Sequence, residues 1–453
     1  MGAKFAALSV VGLSAIFFPG AMHTSRADIT GLVVDSTKDI GPFRGKPYRE
    51  IEAHLNGTAP GGAYSVPVTL AFPKQASDHN RFAIVDIDNT VTIGNDKFVL
   101  GGRAVPGARN RLGEDFLFGA GHAHVSVIWD KKAVEALHNG IIGAGADGFT
   151  IIADAARLAR NPSKYLPAGT GSAPSSDKII AYGYSQTGGL LREWYLEHHN
   201  KQGDALVFDG AVVAEAGGGC YNIEKLGYKD CSRTGGLSDG GKVIAISTET
   251  DAQWGADAER GDNPDYRTIE IAGVSHIPAA RVDFRDHGHP MQNPMDYRPP
   301  FRAALVNLEE WINGKEPPPS VAIELADKQL DLGGCCGMIR EAVRDADGNA
   351  LGGMRLPHMT TVLADGRKAG APLGQYTGFA PGFAKDNVYF TIGGEFKPFS
   401  PEKVKALYPT HAAYLDLVRT SAKDLEAKRY ILAEDAKAYI DAAEASDVPP
   451  KEK

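Results

Sequence analysis

Three side chains, distant in the chain but each placed where a strand-like run ends, have the chemistry of a proton relay. Ser185 lies in Gly183-Tyr184-Ser185-Gln186-Thr187-Gly188, after the apolar run 178–182 (KIIAY) and before the helix-patterned LLREWYLEHH. A serine nucleophile needs this setting. A tight strand-to-helix turn lifts the hydroxyl above the sheet edge, and small neighbours avoid clashes. Gly183 fills the position two before the serine; Thr187 stands two after it, where glycine is commonest, with Gly188 one place later. Taken alone, a serine in such a turn is equally an ordinary helix N-cap.

The other two members decide between those readings. Residues 243–247 (VIAIS) run into Thr248-Glu249-Thr250-Asp251, and residues 268–272 (TIEIA) run into Gly273-Val274-Ser275-His276. A serine hydroxyl is a weak nucleophile near neutral pH. A histidine must take its proton, and a carboxylate must fix the imidazole tautomer and stabilise the imidazolium. Serine, acid and histidine follow three strand ends in the order that α/β sheets with a nucleophile turn require. Asp251 is the preferred acid and Glu249 the alternative. Singly, His276 reads as well as a loop histidine and Asp251 as a solvated turn; together the three argue for catalysis. An oxyanion hole needs two donors aimed at the developing charge. The Gln186 N–H is expected to supply one, and Asn89 or Thr90, in the loop after the run 81–88 (RFAIVDID), the other.

The elements that must position these groups alternate. Residues 65–72 (SVPVTLAF), 81–88, 124–129, 178–182, 211–214 and 243–247 have the composition of strands; 149–158, the segment after Ser185 and 301–314 have helical spacing. Strands alternating with helices predict a mostly parallel sheet covered on both faces. After Pro317-Pro318-Pro319 the texture changes to glycine-rich short runs over 320–397, and helical character returns from Pro401 to Glu444 with a break near Pro409.

With those residues in view, the chain resembles a bacterial α/β-hydrolase-domain family that combines an SQ-small-G elbow with a C-terminal glycine-rich module. The elbow is Ser185-Gln186-Thr187-Gly188. The module's signature runs from Asp345-Ala346-Asp347-Gly348-Asn349 through Gly352-Gly353-Met354-Arg355-Leu356-Pro357, and Phe399-Ser400-Pro401, Leu407-Tyr408-Pro409 and Val85-Asp86-Ile87-Asp88-Asn89-Thr90 also fit. The resemblance covers about residues 64–443. It implies an α/β-hydrolase fold and a serine hydrolase, and it names no substrate.

The remaining features bound the compartment and the partners. Lys4, an apolar stretch over 5–20 and Ser25-Arg26-Ala27 read as a secretory signal peptide, with a retained anchor as the alternative. The expected organisation is thus signal peptide 1–27, hydrolase core 28–318, a packed C-terminal module 319–448 and a disordered tail 449–453. The formal net charge is −8, and loss of residues 1–27 removes Lys4 and Arg26 but no acid. Such a balance argues against nucleic acid or a stable association with anionic membranes. The four cysteines, Cys220, Cys231, Cys335 and Cys336, lack zinc-ribbon spacing and read as structural disulfides or inert thiols. Asp283, Asp286, His287 and His289 read first as a polar loop, a metal site being the alternative. His122 and His124 read as a loop entering a strand, with a place at a pocket mouth as the alternative. Trp129, Trp254 and Tyr297 read as core, with pocket walls as the alternative, and the glycine run 217–219 is a candidate neighbour of the site. No cofactor and no metal is expected. The sequence therefore predicts an exported serine hydrolase that cleaves a small-molecule carboxylic ester through an acyl-enzyme. A non-catalytic ligand-binding protein on the same fold, an acyltransferase and, last, a metal-dependent hydrolase are the rival readings.

Overall fold

The computed structural model describes residues 28–59, 62–90, 106–137, 140–143, 146–217, 219–222, 227–230, 239–255, 261–277, 292–332, 338–380 and 391–449. The expected signal peptide and the stretch 283–289 lie outside them. Among the described residues, ten strands form the central sheet. They are β1 (Asp28–Phe43), β2 (Lys46–Ala59), β3 (Gly62–Pro73), β4 (Phe82–Ile87), β5 (Ala123–Val127), β6 (Ile141–Ile142) and β7 (Lys178–Tyr184), then, after a small hairpin of β8 (Lys201–Gln202) and β9 (Ala205–Leu206), β10 (Gly210–Ala214). A short ribbon, β11 (Gly219–Asn222) and β12 (Gly227–Asp230), precedes β13 (Lys242–Thr248) and β14 (Tyr266–Ile271). The order is β1-β2-β3-β5-β4-β7-β10-β13-β14, with β6 on β3. Neighbours are antiparallel from β1 to β5 and parallel from β5 to β14. The parallel half carries the site, and β4, β5 and β10 are buried along their whole length. Strands covered on both faces are read in sequence as continuous apolar runs, which is why these were visible.

Helices cover both faces. On one side α4 (Gly148–Arg160) and α5 (Gln186–Leu196) pack Ile151, Ile152, Leu190 and Trp194 on Val85, Ala181 and Val213. On the other, α1 (Gly107–Leu112) and α7 (Arg298–Ile312) pack Leu112, Phe301, Leu305 and Leu308 on Ile84, Tyr182 and Ile244. The Asp147 carboxylate caps α4 by accepting from Thr150 N, and Gly314, at φ +95°, follows the end of α7. The sequence pattern carried no expectation of strands before residue 64. β1 and β2 nonetheless form a long hairpin that lays Leu32, Ile51, Ala53 and Leu55 on the core. Its charged residues alternate with apolar ones, the mark of a sheet with one wet face.

Beyond the proline run, residues 319–449 wrap the far side of the sheet. Val321 and Met354 bridge to Ile269 and Ile271 of β14, so a segment of this region covers what would otherwise be an open edge. Three two-stranded ribbons follow: β15 (Leu325–Asp331) with β16 (Met338–Ala342), β17 (Thr361–Val362) with β18 (Lys368–Ala369), and β19 (Gly374–Thr377) with β20 (Glu395–Pro398). The last three helices are Pro401–Leu407, His411–Ala427 and Ala433–Glu444, the first two N-capped by Ser400 and Thr410. The cap at Thr410, one residue after Pro409, is why the helical pattern breaks there. Gly353, at φ +64°, lies where a Cβ would press on Ile323 and the Glu270 carbonyl. That close approach accounts for the second glycine of the Gly352-Gly353 pair. Among the described residues no helix is long and apolar enough to cross a membrane.

Candidate active site

The tips of the parallel strands are stitched together in a row. Ser185 N donates to the Ala214 carbonyl (2.9 Å), Glu215 N to the Ile246 carbonyl (2.8 Å), and Glu249 N to the Val274 carbonyl (3.0 Å). With adjacent strands about 4.8 Å apart, the residues just past β7, β10, β13 and β14 must converge on one edge.

Ser185 joins β7 to α5 with φ +53° and ψ −116°, a backbone region that costs a non-glycine residue about 1–3 kcal/mol. A Cβ at Gly183 would enter the Thr187 carbonyl, and one at Gly188 the Ala214 carbonyl. The departure from glycine at position 187 has its own account. The Thr187 hydroxyl accepts from Tyr184 N (3.0 Å) and donates to Tyr184 O (3.2 Å), tying the turn on itself. From β4, Asn89 Nδ2 donates to Tyr184 O (3.3 Å), and Thr90 N donates to Gln186 Oε1 (2.9 Å). The Thr90 N–H, expected as an oxyanion donor, is thus engaged by the Gln186 side chain. Gln186 itself begins α5, where a first-turn N–H has no partner within the helix. Nearby, burial and the charge of Asp86 hold the Asp88 carboxyl well above its ordinary range.

The acid and the histidine meet. His276 Nδ1 lies 2.9 Å from Asp251 Oδ1, and Thr248 Oγ1 donates to Asp251 Oδ2 at 2.5 Å. Both residues are buried. Burial pushes the His276 imidazole down, yet the carboxylates of Asp251 and Glu215 outweigh it and leave its pKa above the ordinary value. Glu249, the alternative acid, is turned away. Its carboxylate accepts from Gly273 N (2.8 Å), Gly378 N (3.1 Å) and Arg344 Nη2 (2.7 Å). It is a joint between core and C-terminal region, so the neighbouring Asp251 is the carboxylate left for the imidazole. Thr250 extends the joint by accepting from His276 N (3.1 Å) and donating to Gly378 O (2.6 Å).

Glu215 had no place in the sequence reading. It follows β10 at φ +51°, is buried, and pairs with Arg111 of α1 at 3.0 Å. Among the described residues, the ligand atoms of Glu215, Asp251 and His276 form a compact acidic cluster, all within 4.8 Å of one another. Arg111 lies 3.0 Å from the Glu215 carboxylate, and Thr248 and His276 meet that of Asp251, so a protein cation and an imidazole stand beside the two acids. A signal for Glu215 existed: it follows the run 211–214, a strand end like the other three.

Other expectations resolve plainly. His122 and His124 are buried; His122 contacts Leu117 O and Glu309, and His124 Nε2 meets Asp86 Oδ2 at 3.1 Å. Trp129 is core, donating to Asp88 O. Tyr297 is buried against Arg111. Trp254, by contrast, stands edge-on to His276 with ring centroids 6.4 Å apart, and Phe379 packs on its other side at 5.3 Å. Gly217 lies beside it, where a Cβ would sit 3.5 Å from Trp254 and 3.8 Å from Asp251 Oδ1. Cys220 is in a disulfide; the other three cysteines, like Asp283, Asp286, His287 and His289, lie outside the described residues.

The family model for an alpha/beta hydrolase domain matches residues 121–441. The chain belongs to the α/β-hydrolase family. No curated protein matches its sequence. Solved structures to which this α/β-hydrolase chain is similar include a glucuronoyl esterase from Solibacter usitatus, at 11% identity and TM-score 0.30, covering 53% of this chain and 81% of that one. A putative dienelactone hydrolase from Klebsiella pneumoniae subsp. pneumoniae MGH 78578 is similar at 12% identity and TM-score 0.31, covering 55% and 94%. A CE15 esterase from a marine bacterial metagenome is similar at 10% identity and TM-score 0.28, covering 49% and 68%.

Proposed function

We propose that the protein is an exported serine hydrolase that cleaves a carboxylic ester through an acyl-enzyme. The observation that carries this reading is the Asp251–His276 pair, 2.9 Å apart on the strand edge whose row of tips also holds Ser185 in a strained turn. Ser185 Oγ attacks the ester carbonyl while His276 Nε2 takes its proton. Asp251 holds Nδ1–H and stabilises the imidazolium. The Gln186 N–H takes part of the charge on the tetrahedral oxygen, and Asn89 remains the candidate for a second donor. His276 then protonates the departing alcohol, and water, activated by the same imidazole, releases the acid.

A binding protein would gain nothing from the backbone strain at Ser185, which supports the enzymatic reading over the non-catalytic one. Export is supported by the order of residues 1–27 and by the disulfide at Cys220, a bond suited to an oxidising compartment. A fluorophosphonate probe tests the assignment: the wild type is labelled and Ser185→Ala is not. Equal labelling of both, or none of either, would sink it. Turnover of p-nitrophenyl esters of rising chain length in water alone then separates hydrolysis from acyl transfer and gives the acyl preference.

A further inference from the structure

Between the strand tip that holds Ser185 and the one that leads to Asp251 lies a third, and its first residue is Glu215. A charged residue in the left-handed region, at φ +51°, with the charge buried, has two costs. Its partner Arg111 is equally withdrawn from solvent, with its guanidinium 4.2 Å from the centroid of the Tyr184 ring, next to the nucleophile. Buried ion pairs of this kind are poor stabilisers compared with apolar side chains of the same size. The Glu215 and Asp251 carboxylates and the His276 imidazole also place one ligand atom each within 4.8 Å of one another.

We propose that Glu215 is a second acidic positioning residue for His276, sharing with Asp251 the stabilisation of the imidazolium, with Arg111 as the cation that keeps Glu215 ionised and aimed. This deepens the serine-hydrolase reading and rests on it. During attack the proton moves from Ser185 Oγ to His276 Nε2, so a unit positive charge appears on the ring. Two carboxylates then offset it while Arg111 prevents the pair from carrying excess negative charge beforehand. The charged and titratable groups that face the cluster are Asp251 from α6 (Glu249–Trp254), Arg111 from α1, Tyr182 and Tyr184 from β7, and Tyr297 at the start of α7.

The test uses the full chain and Glu215→Gln, Glu215→Asp, Asp251→Asn and the Asp251→Asn/Glu215→Gln double variant. With the best p-nitrophenyl ester, E215Q is expected to lower kcat about 10- to 100-fold with KM unchanged. The acidic limb of kcat/KM should move to lower pH by about one unit, because an opposite charge beside the imidazole has been removed. E215D, which keeps the charge, should restore much of that limb. D251N should retain turnover that the double variant loses. An NMR titration of the His276 ring gives the same midpoint shift without any substrate. An unmoved midpoint in E215Q, or a fall in melting temperature with the pH profile and kcat intact, overturns the proposal and leaves Glu215 a structural ion-pair partner. Should E215Q fail to fold, the E215D titration decides: the shorter side chain draws the charge back from the ring, so a midpoint moved part of the way to lower pH supports the role, and a midpoint equal to that of the wild type refutes it. Absence of Ser185-dependent labelling in the wild type would instead sink the hydrolase reading, whatever the titration gives.

Discussion

The two corners of the candidate site are built differently. The nucleophile corner is largely local: Gly183, Ser185, Gln186, Thr187 and Gly188 lie within six residues, and Asn89, Thr90 and Ala214 reach it from elsewhere. The acid–histidine corner is assembled from four distant segments. Asp251 and Thr250 lie on one strand tip, His276 on the next, Glu215 on a third, and Gly378 and Arg344 reach in from the C-terminal region through Glu249. A local turn survives damage far away. A corner made of long-range contacts is only as well placed as its most remote support.

That contrast can be broken by mutation, beginning with the largest effect. Ser185→Ala should remove about 10⁴- to 10⁶-fold of kcat with little change in the urea midpoint, since the nucleophile's partners act as a unit; ester turnover and unfolding curves measure both. Asp251→Asn should cost about 10⁴-fold, because an amide favours the wrong imidazole tautomer, and less if Glu215 takes over part of the role. Arg344→Met leaves the fully buried Glu249 carboxylate without its cation. A loss of about 3 kcal/mol in unfolding free energy is expected, together with a fall in kcat, and equilibrium urea titration with parallel kinetics checks whether the two fall together. If kcat holds while stability drops, the C-terminal region is a brace and not a part of the active corner. Thr187→Val, at the local corner, should cost only about 1–2 kcal/mol through the unsatisfied Tyr184 N–H, again by urea titration.

The pH dependence sharpens the same comparison. The imidazole must be neutral to accept a proton, and its pKa is raised by two carboxylates against the effect of burial. Activity should therefore fall, as pH is lowered, from a higher pH than an ordinary histidine with a pKa of about 6.5 would give. A pH–rate profile of kcat/KM with an acidic limb below that value would contradict the geometry of this corner.

What could be read from the sequence follows the same division. The buried parallel strands announce themselves as apolar runs, and the elbow has a compact pattern, so Ser185, Asp251 and His276 stood out and the sheet did too. Asp251 was preferred over Glu249 although both follow the same strand end; the remote partners Arg344 and Gly378, which hold Glu249, are what the sequence does not reveal. The Thr90 N–H looked available because nothing local reveals that a glutamine side chain from the elbow captures it. Glu215 was missed because its turn carries no histidine or serine and its counter-ion Arg111 lies more than a hundred residues away. The β1–β2 hairpin was missed for another reason: in an antiparallel pair with one wet face, polar and charged residues interrupt the apolar ones, so no continuous apolar run marks it.

The dihedral angles at Ser185 have a further outcome. They belong to a region that glycine enters freely and L-residues enter reluctantly. Replacing that serine by glycine would then relax the chain at one point while disarming it, by something on the order of 1 kcal/mol after the greater freedom of glycine in the denatured chain is subtracted. A dead variant that outlasts the living one in a melting experiment would be the thermodynamic signature of a tension kept for its reactivity.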